Sequence, residues 1–229
     1  VGQFLDLNEA MGGLDIDFLP QAERTVGDAE ATAAAYRTGR IISGRALASV
    51  PIVDFRAYLD MSENGDNHMK LHSFSLRERL VRENGHADNH VLLVTHSGQR
   101  SGFGGAFSST QTNDVLYGAL SRLDIWLTAV SEDDSGNPLP ERVVRARPAD
   151  FVDACWTEDT RKIEETQSYD GPGECGALYP AFPVPRLVAG APLVDDIVKC
   201  RLKPLDSSDY AAPMTPKEWT RLGRIFTEG

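Results

Sequence analysis

The side chains in this chain best suited to move protons near neutral pH are its five histidines and the carboxylates close to them. His68 lies in the run Gly65-Asp66-Asn67-His68, shortly after Asp60, and His96 closes the run His90-Val91-Leu92-Leu93-Val94-Thr95. A carboxylate bound to an imidazole fixes its tautomer and stabilises the imidazolium. The ring can then take a proton from a hydroxyl nucleophile and return it to a leaving group. For that chemistry the candidates are Asp60 as the orienting acid and His68 or His96 as the base. His72, His86 and His90 occupy expected surface or helix-boundary positions. A lone loop aspartate is more often a turn residue or a helix cap. The case therefore depends on whether acid and base arrive at neighbouring strand ends.

The surrounding pattern predicts that they do. The stretch 50–58, entered through Pro51, reads as a strand. A polar loop over 59–70 follows. Residues 73–84 read as a helix, with Phe74, Leu76, Leu80 and Val81 apolar and Gly85 as its stop. Residues 90–96 form a short continuous apolar run of the kind found in buried parallel strands. A glycine-rich loop, 95–105, leads to a helix over 114–130, where Leu116, Leu120, Leu123, Leu127 and Val130 recur at three- and four-residue steps. This is a β-loop-α-β-loop-α unit, whose right-handed crossover makes the two strands parallel neighbours. Ligands and catalytic groups of such sheets sit beyond the carboxyl ends of the strands, where the loops carrying Asp60, His68 and His96 fall.

The layout is that of an α/β-hydrolase, whose triad follows the chain order Ser, Asp, His. No Gly-x-Ser-x-Gly elbow occurs, and Ser108 and Ser109 lack the strand–turn–helix context that an elbow requires. The nucleophile is therefore expected on a segment upstream of Val1. Two strands cannot form a stable open sheet by themselves, and neither 1–50 nor 131–229 shows a strong run of buried strands. The expected organisation is an entry segment of loop and helix (1–50), the C-terminal part of a hydrolase core (51–135) and a Pro-rich irregular extension (136–229). Within the entry segment Ala29–Arg37 reads as a helix stopped at Gly39. In the extension a short helix is expected near 150–156. Thr215, Pro216 and Glu218 mark the start of a final helix that buries Trp219, Leu222, Ile225 and Phe226.

Composition narrows the function classes. Lys and Arg total 23 against 34 Asp and Glu, a net charge of −11 that repels phosphate backbones, so no nucleic-acid partner is expected. No apolar run reaches the length of a membrane span. Cys155, Cys175 and Cys200 form no CxxC or Cys/His zinc spacing, and no cofactor or metal is expected. Cys155 and Cys175 bracket a polar loop and are expected to form a disulfide, leaving Cys200 odd. Three buried thiols in a reduced compartment are the alternative. Asn8, Asp15 and Asp17 around Gly12-Gly13 have calcium-ligand chemistry without EF-hand spacing, and read first as turn residues.

Several stretches carry a resemblance: Pro51-Ile-Val-Asp-Phe-Arg-Ala-Tyr-Leu-Asp60, Gly65-Asp-Asn-His68, Ser73-Phe-Ser-Leu-Arg-Glu-Arg-Leu80, Arg147-Pro-Ala-Asp150, Asp153-Ala-Cys-Trp156 and Lys199-Cys-Arg-Leu-Lys-Pro204. In these the chain resembles the C-terminal half of a family of exported bacterial α/β-hydrolase-like proteins, loosely similar to tannases and feruloyl esterases. The resemblance implies an upstream half with the nucleophile elbow and the first strands, and a further cysteine beyond Gly229 as partner for Cys200. It also implies a secreted or periplasmic location, and favours the Asp-x-His of the first loop, hence His68 over His96. The expected function is ester hydrolysis, with His and Asp supplied by this chain, Ser by the upstream segment, and a small-molecule or polymeric ester as substrate. The alternative is a non-catalytic module that binds calcium or a glycan.

Overall fold

The computed structural model describes residues 1–10, 13–14, 20–21, 27–61, 66–96, 110–188, 190–195 and 202–227. The chain divides into two units, residues 1–40 with 196–229 and residues 41–195. The smaller begins with α1 (Gly2–Ala10) and a short antiparallel pairing of β1 (Gly13–Leu14) with β2 (Pro20–Gln21). Helix α2 (Ala29–Arg37) matches its expected bounds. Asp28 caps it by accepting from the Ala31 amide at 2.8 Å, and Gly39 follows at φ +73°.

The larger unit contains β3 (Ile52–Ala57), α3 (Leu71–Asn84), β4 (His90–Thr95), α4 (Thr110–Glu132) and α5 (Leu139–Ala146), in that order. They are followed by β5 (Ala154–Trp156), β6 (Lys162–Glu164), α6 (Glu174–Leu178) and α7 (Pro185–Val188). One four-stranded sheet, in the order β3-β4-β5-β6, organises the unit. β3, β4 and β5 run parallel, and β6 is antiparallel to β5. All six residues of β4 are buried, as its apolar run requires. Their side chains alternate between two cores. Val91 and Leu93 meet Val115, Ala119, Trp126 and Val130 of α4 and Val143 of α5. Leu92 and Val94 face Phe74 of α3 with Tyr58, Ile163 and Tyr179. Cys155 and Cys175 join in a disulfide within this second core.

The last helix, α8 (Pro216–Ile225), belongs to the smaller unit. Its capping box is closed as the sequence predicts: the Thr215 amide donates to Glu218 at 2.8 Å and the Glu218 amide to Thr215 Oγ1 at 3.3 Å. Leu222, Ile225 and Phe226 are buried with Leu5 of α1.

Several expectations need correction. The sheet is mixed rather than wholly parallel, and it has four strands where the sequence offers two. The helix expected near 150–156 is replaced by β5. Three-residue strands are too short to display a two-residue period, and β5 and β6 are strands because β4 supplies an edge to pair with. The compact unit that contains this sheet runs over residues 41–195. The buried face of α4 is also not the expected leucine stripe. Leu120 and Leu127 are 52% and 48% exposed, whereas Val115, Ala119, Trp126 and Val130 face the sheet. Helix α4 is apolar on two sides, and the sheet is met by the side carrying Trp126, whose indole N–H donates to the Val143 carbonyl at 2.7 Å. Val81 of α3 is likewise exposed.

This assignment of faces predicts unequal costs. Trp126→Ala should lower unfolding free energy by about 3–5 kcal/mol, and Leu120→Ala by no more than about 0.5 kcal/mol. Denaturant titration of the two variants measures the difference.

Candidate active site

The carboxyl ends of β3, β4 and β5 lie along one edge of the sheet, and the described parts of the first loop, residues 58–61 and 66–70, rise from β3 at that edge. The Tyr58 amide continues the ladder by donating to the Thr95 carbonyl at 2.9 Å. The loop re-enters regular structure at Lys70, which precedes α3.

His68 meets a carboxylate, and that carboxylate is Asp66. The Nδ1 of His68 lies 2.8 Å from Asp66 Oδ1, and the His68 amide donates to the same oxygen at 2.7 Å. The two-residue spacing allows both bonds: an Asx turn brings the amide to the oxygen, and the imidazole folds over it. Arg56 of β3 adds a tether from outside the turn, its guanidinium donating to the His68 carbonyl at 3.3 Å. The amide bond and then the ring contact hold the Asp66 carboxyl below its ordinary value of 3.8. An ionised carboxylate only accepts, so Nδ1 carries a proton in this contact. The His68 side chain is 40% exposed.

Asp60 is differently employed. It is buried, its Oδ1 accepting from the Lys70 amide at 2.7 Å and its Oδ2 from the Phe182 amide at 3.1 Å. Both bonds go to backbone, so Asp60 closes the base of the loop and ties it to the segment after α6. His96 sits half-buried immediately after β4. Ser108, Ser109, Gly65, Cys200 and the glycine-rich stretch 97–105 lie outside the described residues, as do Asp15 and Asp17. Asn8, the remaining member of the calcium-type cluster, donates from its side chain to the Phe4 carbonyl at 2.8 Å within α1. Among the described residues no group of three or more His, Cys, Asp or Glu side chains is placed to hold a metal ion.

The remaining histidines divide. His72 is exposed, and His86 is a surface residue 3.7 Å from Asp88. His90 is no boundary residue. It is buried, its Nδ1 within 3.1 Å of the Arg77 guanidinium. It opens β4 at the edge of the sheet opposite the loop.

The sequence offers Asp66 as a loop acid without an orienting role, and it does not single out Lys70, Tyr58 or Tyr179. The Asp-x-His spacing was the available signal for Asp66. Nothing in the sequence points to Lys70 or Tyr179, whose contact crosses more than a hundred residues. A cavity of about 290 Å³ lined by Leu93, Val115, Phe151, Trp156, Arg122 and Lys162 opens on the α4 face of the sheet, whereas Tyr58 and Tyr179 pack on the α3 face.

Because Asp66 has a lowered carboxyl pKa, its contact with His68 contributes stability that is fully present above pH 3.8 and is lost as pH falls through the lower folded value. The melting temperature of Asp66→Asn should therefore lie below that of the unaltered protein at pH 5–6, and the gap should close in stronger acid. Thermal unfolding across that range checks it.

None of the curated proteins and none of the solved structures matches the chain. A family model described as a tannase-like family of unknown function, DUF6351, matches residues 1–229. The match spans the sheet, the Asp66–His68 loop and both units, and the chain belongs to this tannase-like family.

Proposed function

We propose that this chain supplies the acid–base half of an ester-hydrolysing serine hydrolase, with His68 as general base and acid and Asp66 as its orienting carboxylate. The observation that carries the reading is the 2.8 Å contact between Asp66 Oδ1 and His68 Nδ1 at the carboxyl edge of a largely parallel sheet. Membership of a tannase-like family supports ester chemistry. Asp60, the acid first expected from the sequence, serves in this reading as the residue that closes the loop.

The serine comes from a segment not contained in these 229 residues, which hold no nucleophile elbow. β3 supports this division. It is an end strand, with β4 on one side and no strand described on the other. The amides of Ile52 and Tyr58 turn toward β4, so Val53, Phe55 and Ala57 present their backbone groups to the open side. A parallel edge of this kind accepts a further strand. The disulfide between Cys155 and Cys175 supports export to an oxidising compartment.

The steps start from the neutral ring with its proton on Nδ1. His68 Nε2 takes the proton of the serine hydroxyl as Oγ attacks the ester carbonyl carbon, and Asp66 stabilises the imidazolium. As the tetrahedral intermediate collapses, the C–O bond to the alcohol breaks and His68 returns the proton to the departing oxygen. Water, deprotonated by His68, then attacks the acyl-serine. The acid is released, and the proton returns to the serine oxygen.

In the intact protein, His68→Ala should abolish turnover of a chromogenic ester, and Asp66→Asn should lower kcat by about 10²–10⁴-fold with folding unchanged by circular dichroism. Full turnover in His68→Ala would sink the assignment. Retained activity in Asp66→Asn with loss in Asp60→Asn would return the orienting role to Asp60.

A further inference from the structure

The two ends of the His68 loop are held by one short stretch of chain distant in sequence. At its start, the Tyr58 hydroxyl donates to the Pro180 carbonyl at 2.8 Å, and Asp60 Oδ2 accepts from the Phe182 amide at 3.1 Å. At its end, Lys70 Nζ donates to the Tyr179 carbonyl at 2.7 Å. Asp60 also joins the two ends, its Oδ1 accepting from the Lys70 amide at 2.7 Å. Residues 179–182 thus receive a bond from each end of the loop.

This stretch is itself anchored. Cys175 is bonded to Cys155 of β5, and the amides of Glu174 and Cys175 donate to the Glu165 carboxylate at 2.9 and 2.8 Å. The Tyr179 hydroxyl donates to the Trp156 carbonyl, and its ring lies 5.0 Å from that of Tyr58. The Tyr169 hydroxyl donates to the Phe182 carbonyl at 2.9 Å. Sheet, disulfide and aromatic rings therefore fix 179–182 before the loop is considered.

The chemistry of the contact is unusual for a packing interface. Lys70 and Asp60 are each only 5% exposed. The Lys70 ammonium lies 5.7 Å from the Phe74 ring centre and 5.9 Å from that of Tyr169. Burying a lysine and an aspartate is costly wherever apolar residues would fill the space. Loop ends that needed only to be covered would not require them. Directional bonds to backbone are what charged groups add, and they set where the loop stands.

We propose that residues 175–182 form a clamp that sets the position of His68, and that Tyr58, Asp60 and Lys70 are positioning residues acting through it. This inference rests on the reading of His68 as the acid–base group. It adds the element that holds that group in register with a nucleophile brought from another segment. A base on a loop end must be placed within a fraction of an ångström of its partner; the Asp66 contact orients the ring and Arg56 of β3 holds the His68 carbonyl, while the clamp holds both ends of the loop.

The test is amide hydrogen exchange with peptide-level mass spectrometry on the intact protein, with the C2–H exchange rate of each histidine read in the same samples. The variants are Tyr58→Phe and Lys70→Met. In both, amides of residues 58–61 and 66–70 should exchange about tenfold faster. The C2–H rate of His68 should change while those of His86 and His90 stay, and β4 and α4 should keep their protection. Unchanged exchange over 66–70 in both variants would overturn the clamp. An equal rise throughout β4 would overturn it as well, since that outcome is a general loss of stability. If Lys70→Met does not fold, Tyr58→Phe decides alone, because it removes a single hydroxyl. Failure of the catalytic reading is separable: full ester turnover in His68→Ala would remove the base while leaving the exchange result in place.

Discussion

One buried carboxylate joins most of the larger unit. Asp153, the residue before β5, receives the Arg77 guanidinium at 2.7 and 2.9 Å, the Leu92 amide at 2.8 Å and the Gln167 amide at 3.1 Å. Those partners belong to α3, β4 and the segment after β6. Arg77 adds a bond to the Gln167 carbonyl at 3.1 Å, and Gln167 bridges back to the Leu92 and Ala154 carbonyls at 3.0 Å each. A buried ion pair adds little net stability over an apolar packing, yet losing one member leaves a charge without its counterpart and is strongly destabilising. The pair therefore acts as a specification. β5 pairs with β4 in one register because Asp153 can meet Leu92 and Arg77 together in only one way.

The same guanidinium sets the state of His90. A guanidinium only donates, so the His90 Nδ1 beside it accepts and the ring proton sits on Nε2. That nitrogen lies 3.7 Å from Asp54, beyond hydrogen-bond distance but within electrostatic reach. Burial pushes the Asp54 carboxyl up, while polar contact with His90, the charge of Arg56 and the Ser73 hydroxyl outweigh it, and the net shift is downward. This polar cluster occupies the early residues of β3 and β4. The Asp66–His68 pair stands beyond the opposite ends of the strands. At one end of the sheet a buried imidazole accepts from Arg77, and at the other a half-exposed imidazole meets Asp66 through Nδ1.

How far residues announced these features depended on the distance over which their partners act. The parallel pair β3 and β4, helix α3 with its Gly85 stop, α2 and the capped α8 all depend on neighbours within a few positions, and they appear where the pattern places them. The disulfide between Cys155 and Cys175 was legible because only three cysteines are present and two flank one loop. His68 was legible as a loop histidine near acids. Its partner was not, because Asp60 and Asp66 both lie within loop reach, and only the turn geometry decides which oxygen the ring meets. Two apolar faces of α4 compete for burial, and the choice between them belongs to the sheet.

By itself the sequence determined the local pieces: an acid-and-histidine loop after a strand, a crossover helix, a fully buried second strand, and caps that start and stop helices. Each follows from side-chain period or from a hydrogen bond spanning three or four residues. Tertiary structure alone decided that 154–156 and 162–164 are strands, that Lys70 is buried against the carbonyl of Tyr179, and that Asp60 spends both oxygens on backbone amides ten and 122 residues away. The physical reason is the same in each case. A backbone amide or carbonyl carries no side-chain signature, so a bond to it from far along the chain exists only once the fold has brought the two together.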